Sequence, residues 1–77
     1  MAVKAYVLIE VEVGEAGDVT ESVQRLEGVR SADSVAGPYD VVATIEVADL
    51  EAVGNLVKQI HSTSGVRRTS TLIAVKF

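Results

Sequence analysis

The sequence predicts a single α+β domain built from two strand–helix–strand halves. Three observations predict it. An odd-position apolar row runs through Val3, Ala5, Val7, Ile9, Val11 and Val13, the period of a pleated strand. Two stretches, one after Asp18 and one after Asp49, carry apolar residues at helical spacing. A short internal echo then divides the chain in two: Ile9-Glu10-Val11 returns as Ile45-Glu46-Val47, and Gly28-Val29-Arg30 returns as Gly65-Val66-Arg67.

Strand one is expected over 3–13. Its odd face is a core face. Its even face carries Lys4, Tyr6, Leu8, Glu10 and Glu12, and is apolar in the middle at Tyr6 and Leu8. A loop over 14–17 precedes helix one. Asp18 reads as its N-cap, with Glu21 completing a capping box. Val19, Val23 and Leu26 share one helical face, and Gly28 stops the helix in the left-handed region. Residues 29–36 read as an edge strand, because Arg30, Ser31, Asp33 and Ser34 are too polar for a sheet interior.

The connection Gly37-Pro38-Tyr39-Asp40 reads as a four-residue hairpin loop. Pro38 suits the second position of a tight turn, and Asp40 can bond its own nearby backbone. Val41 to Val47 follows with the composition of a buried strand. Asp49 reads as the cap of helix two, whose apolar face is Leu50, Val53, Leu56, Val57 and Ile60. Gly54 falls inside that helix and weakens it, a pattern that points to the close approach of a neighbour. The last strand is expected over 66–77, polar at first and then apolar.

Two right-handed βαβ halves of this length give the ferredoxin-like βαββαβ plan, a four-stranded antiparallel sheet with two helices on one face. The apolar strands one and three belong in the centre, and two and four at the edges. The sheet face bearing Tyr6, Leu8 and Val42 then has no cover.

Composition supports that reading. The chain has 77 residues, 48% of them apolar, no cysteine and a net charge of −4. A domain this small buries only about 60% of its unfolded surface. So much aliphatic surface predicts self-association through an exposed patch. The acidic balance opposes direct nucleic-acid binding, which needs lysine and arginine to neutralise phosphates. The absence of cysteine removes disulfide and thiolate chemistry. With no secretory leader pattern and no membrane-length apolar run, the chain is expected to be soluble and cytoplasmic.

Candidate chemistry is sparse. His61 is the single histidine, without a nucleophile or second base spaced to work with it. Glu10, Glu12 and Glu46 read as solvated strand charges rather than a metal cluster, and no cofactor is expected. Arg67 and Arg68 read as charges protecting an edge strand. Thr69, Ser70 and Thr71 form a hydroxyl row that suits an edge strand and equally a polar ligand wall.

Gly37-x-Tyr39-Asp40-Val41, the Asp49-Leu50 helix start and Gly65-Val66-x-x-Thr69-x-Thr71 together resemble the effector-binding domain of the Lrp/AsnC transcription regulators. The resemblance covers essentially the whole chain, residues 1–77. It implies a non-enzymatic, amino-acid-sensing module without its own helix-turn-helix domain. It implies homodimers joined through open sheet faces, rings of those dimers, and a free amino acid held between dimers. The matching ligand positions are Gly37, Tyr39, Asp40, Thr69 and Thr71. A full-length regulator of that family is the implied macromolecular partner. Two other readings share the plan. One is a dimeric α+β barrel enzyme of the small monooxygenase type, which would need His61 or Tyr6 in an enclosed cavity. The other is an ACT-type regulatory domain, against which the Gly-x-Tyr-Asp hairpin argues.

Overall fold

A computed structural model describes residues 2–76. Strict alternation makes β1 (Val3–Val11) the centre of the sheet. Ala5, Val7 and Ile9 are fully buried, while Tyr6 and Leu8 on the other face stay part-exposed. The remaining elements are α1 (Ala16–Gln24), β2 (Val29–Ser34), β3 (Val41–Val47), α2 (Leu50–His61) and β4 (Val66–Ile73). The sheet order is β2-β3-β1-β4, all antiparallel, so the two apolar strands are central and the two polar ones are edges. This is the expected ferredoxin-like βαββαβ fold.

Both helices pack on one face, α1 over β2 and β3, and α2 over β4, β3 and β1. Between them and the sheet lie Val19, Val23, Val53, Leu56 and Ile60, set against Ala5, Val7, Ile9, Ala32, Val41, Ala43 and Ile45. No polar or charged side chain is buried among the described residues. This core is held by apolar contact alone, with no internal ion pair to desolvate.

Several boundaries differ from expectation: β2 stops at Ser34 rather than at 36, and α1 ends at Gln24, before Leu26. Helix α1 starts at Ala16, with Glu15 in the cap position and no side-chain cap bond. Asp18 therefore lies in the first turn rather than at the N-cap, where its charge suits the positive end of the helix. The cause is a turn at Gly14, φ +82°, after which the Glu15 amide donates to the Glu12 carbonyl at 3.0 Å and the helix begins at once. Strand β1 stops at Val11 for the same reason. Strand β4 stops at Ile73, and Phe77, the expected strand end, lies outside the described residues. Asp49 does cap α2: its carboxylate accepts from the Ala52 amide at 2.8 Å.

The strand charges resolve into ion pairs on the sheet surface. Glu10 meets Arg68 directly across the β1–β4 ladder, Glu12 meets Arg67, and Glu46 meets Arg30. All three pairs are open to solvent, so each contributes little to stability.

Candidate functional site

The hairpin between β2 and β3 is fastened to β1 from two atoms of one residue. The Asp40 amide donates to the Ile9 carbonyl at 2.9 Å, and the Asp40 carboxylate accepts from the Val11 amide at 2.9 Å. The side chain thus supplies one further rung beyond the β3–β1 ladder. The loop itself is closed by the Val35 amide donating to the Asp40 carbonyl at 2.9 Å. That closure sets the four-residue loop at 36–39, one residue earlier than the sequence suggests. Gly37 within it has φ +149°, a backbone conformation that side chains disfavour, and it is open to solvent.

Tyr39 leaves this loop across the uncovered sheet face. Its hydroxyl lies 3.3 Å from the Ser70 hydroxyl on β4, so the side chain passes over β1. Ser70 is in register with Leu8, and Leu72 with Tyr6. Tyr39 therefore roofs part of the face that carries Tyr6, Leu8, Val42 and Leu72. What remains bare includes Leu72, 53% exposed.

Thr69 and Thr71 lie on the other face. They are in register with Ile9 and Val7, whose side chains are fully buried beneath the helices. Edge position leaves the two threonines only partly covered by α2. They line a cleft of about 550 Å³ with Leu50, Val53, Gly54, Val57, Lys58 and His61 of α2 and Ile73 of β4.

The five candidate residues thus form two groups. Gly37, Tyr39 and Asp40 belong to the hairpin, and Thr69 and Thr71 to the α2–β4 cleft. Tyr39 reaches β4 at Ser70, but on the opposite sheet face from Thr69 and Thr71, while Gly37 and Asp40 stay on the far side of β1, on the order of 10 Å away for two strand spacings. One subunit does not bring the groups together. Sequence reasoning passed over Ser70 as a partner of Tyr39, although strand alternation already turns it away from Thr69 and Thr71. It also missed Lys58, because a cation in the last helical turn has a sufficient local reason to be there.

Among the described residues no three of His, Cys, Asp or Glu gather to hold a metal. No helix is long and apolar enough to cross a membrane. His61 is exposed on the outer end of α2 and faces neither Tyr6 nor the open sheet face.

The family model of the Lrp/AsnC ligand binding domain matches residues 4–77. The chain belongs to the Lrp/AsnC ligand-binding domain family. Among curated proteins, this Lrp/AsnC domain is 29% identical over 72 residues to the HTH-type transcriptional regulator FL11 of Pyrococcus abyssi. That match covers 94% of the domain and 48% of the regulator, so the chain spans about half the length of that relative. It is also 29% identical over 58 residues to a homocitrate synthase of Sulfolobus acidocaldarius, covering 75% of the domain but 12% of the enzyme. Among solved structures, a protein of Thermus thermophilus superposes with a TM-score of 0.91 at 37% identity, over 97% of this chain and 95% of that one.

Proposed function

We propose that this Lrp/AsnC domain is a cytoplasmic, non-enzymatic sensor of a free amino acid, and that it works as an assembly of its own copies. The observation that carries the reading is the separation of the two candidate groups. The Gly37 and Asp40 end of the hairpin lies across β1 from the threonines, and Tyr39, which does reach β4, meets it on the opposite sheet face, so a small molecule touching both groups is held between subunits in this reading. In this reading Asp40 accepts from the ligand's ammonium group through the carboxylate oxygen not used by Val11. The Gly37 and Tyr39 segment and the Thr69 and Thr71 hydroxyls offer hydrogen bonds to its other polar atoms.

The basic unit of the assembly is a homodimer formed through the face of Tyr6, Leu8, Val42 and Leu72, with dimers joined into a ring. The kinds of protein that share the domain support a regulatory role. One similar segment occurs in a DNA-binding regulator and another in a small part of a biosynthetic enzyme. A segment shared by two such different proteins suits a regulatory role better than a DNA-binding or catalytic one. The partner proposed here is a full-length Lrp/AsnC-type regulator, with the acidic domain making no direct nucleic-acid contact.

Calorimetry with the common amino acids tests the reading. Binding of one of them, with sedimentation showing a larger assembly in its presence, is the expected result, because a ligand that prefers the assembled state stabilises it in turn. No heat from any amino acid at millimolar concentration refutes it.

A further inference from the structure

Two apolar features lie at opposite ends of β1, and the chain itself covers neither. The first is the turn between β1 and α1. The Glu15 amide donates to the Glu12 carbonyl at 3.0 Å, and the Glu12 amide donates to the Gly65 carbonyl at 2.8 Å. Gly14, with φ +82°, takes the third position of this turn. Val13 fills the second position and is 101% exposed. A lone exposed apolar residue is ordinary on a surface. This one is β-branched, stiff at χ1 and held on a hydrogen-bonded turn, so it is a fixed knob. Its rim is acidic. Glu12 precedes it, and Glu15 and Asp18 follow with no cationic partner among the described residues.

The second feature is a groove of about 560 Å³ at the other end, where β1 starts and β4 stops. Leu50, Ile73 and Val75 line it and are 64%, 41% and 70% exposed. The charged residues in its lining are Lys4 and Lys76, with no carboxylate among them. That is a local reversal of sign in a chain of net charge −4. Neither lysine forms an ion pair among the described residues, and Lys4 rests over the Tyr6 ring at 5.5 Å.

Knob and groove are complementary: an apolar tip with an acidic rim, and an apolar hollow with a basic one. They cannot meet in one chain. The nine residues of β1 lie between them, about 27 Å at the rise of a strand, in a molecule whose longest extent is 37 Å.

We infer that the Val13 turn of one copy seats in the Leu50, Ile73 and Val75 groove of a second copy. The valine tip covers the aliphatic hollow, and Glu15 and Asp18 fall against Lys4 and Lys76. The rim charges are open to solvent, so they set orientation and encounter rate more than affinity. The contact joins two different patches, so it is heterologous and runs head to tail. Repeated, it closes a ring or continues as a filament, according to the rotation between copies. A second copy is the occupant because this chain carries both the knob and the groove. The inference rests on the self-assembly part of the preceding reading and names a joint for it. That joint needs no effector, and it uses neither Leu8 and Val42 of the open face nor Thr69 and Thr71.

The chain has no cysteine, so introduced cysteines report the joint. Val13→Cys and Val75→Cys chains, both altered at exposed positions, are mixed under mild oxidation. A disulfide needs the two Cα atoms within about 7 Å. The 13–75 crosslink is expected about tenfold faster than crosslinking of either variant alone, or of Val13→Cys with Asn55→Cys, an exposed control. Sedimentation gives a second readout. Val13→Asp and Val75→Asp should melt with the parent, and each should lose species larger than a dimer. Their mixture should recover larger species, because one variant keeps an intact groove and the other an intact turn. Equal crosslinking in every combination, or parent-sized assemblies in either aspartate variant, overturns the inference. A parent that never exceeds a dimer overturns it too. Absence of the crosslink while Leu8→Glu gives monomers overturns the joint and leaves the open-face dimer standing. A fast 13–75 crosslink in a Leu8→Glu background that stays dimeric supports the joint and refutes the open-face dimer.

Discussion

The Gly65 carbonyl accepts from the Glu12 amide at 2.8 Å, and the Gly28 carbonyl accepts from the Glu46 amide at 2.9 Å. Each glycine follows one helix and is tied to the other half, Gly28 to β3 and Gly65 to the residue just past β1. Each also lies beneath the opposite helix. A Cβ on Gly28 would come within 2.9 Å of Leu56 on α2, and one on Gly65 within 2.9 Å of Val19 on α1. The repeated Gly-Val-Arg is thus a reciprocal clasp between the two βαβ halves, completed by the Arg30–Glu46 and Arg67–Glu12 pairs on the surface.

Substitution at either clasp should be costly. Gly28 and Gly65 have φ of +99° and +95°, where a side chain costs roughly 1–2 kcal/mol, and the contact with a buried side chain adds about 1 kcal/mol or more. Gly28→Ala and Gly65→Ala should each lower unfolding stability by at least about 2 kcal/mol in urea titrations. Stability within experimental error of the parent would show that the backbone relaxes at no cost.

Asp40 has a structural duty that separates from any ligand role. Asp40→Ala removes the bond to the Val11 amide and should cost about 1 kcal/mol of stability. Asp40→Asn keeps an acceptor for that amide but loses the negative charge. If Asp40 contacts an ammonium group, the asparagine variant should be nearly as stable as the parent and still bind the effector about tenfold less tightly. Equal affinity in both would confine Asp40 to the hairpin.

The face roofed by Tyr39 should be an interface. Leu8 sits at its middle, in register with Ser70 on one side and Val42 on the other. Leu8→Glu would bury an unpaired charge there and cost several kcal/mol of association, on the order of 3–5. Sedimentation velocity should show monomers. A variant that stays dimeric with unchanged stability would move the interface elsewhere.

The purified chain should not bind duplex DNA. Its net charge is −4, and every arginine is already paired with a glutamate. A gel-shift titration near physiological salt should show no complex at micromolar protein. A salt-sensitive complex would contradict this, since such sensitivity reports phosphates neutralised by cations.

The sequence by itself determined the layers, the strand order and the face each β1 residue takes. Those follow from period-2 and period-3.6 patterns and from the handedness of βαβ crossovers, all of them local or topological rules. It also picked out the hairpin and the threonines, through residue types at recognisable positions. Tertiary structure alone decided what those residues touch. Asp40 bonds to Val11, a residue 29 positions away in sequence, because the antiparallel β3 begins beside the end of β1. Thr69 and Ser70 are neighbours in sequence, yet one enters the α2 cleft and the other meets Tyr39 on the reverse of the sheet. Gly54 looks in sequence like a position for close packing, and in the fold it borders open space. Alternation within a strand and spacing within a helix set which way a side chain points, but what it meets depends on where the other elements end.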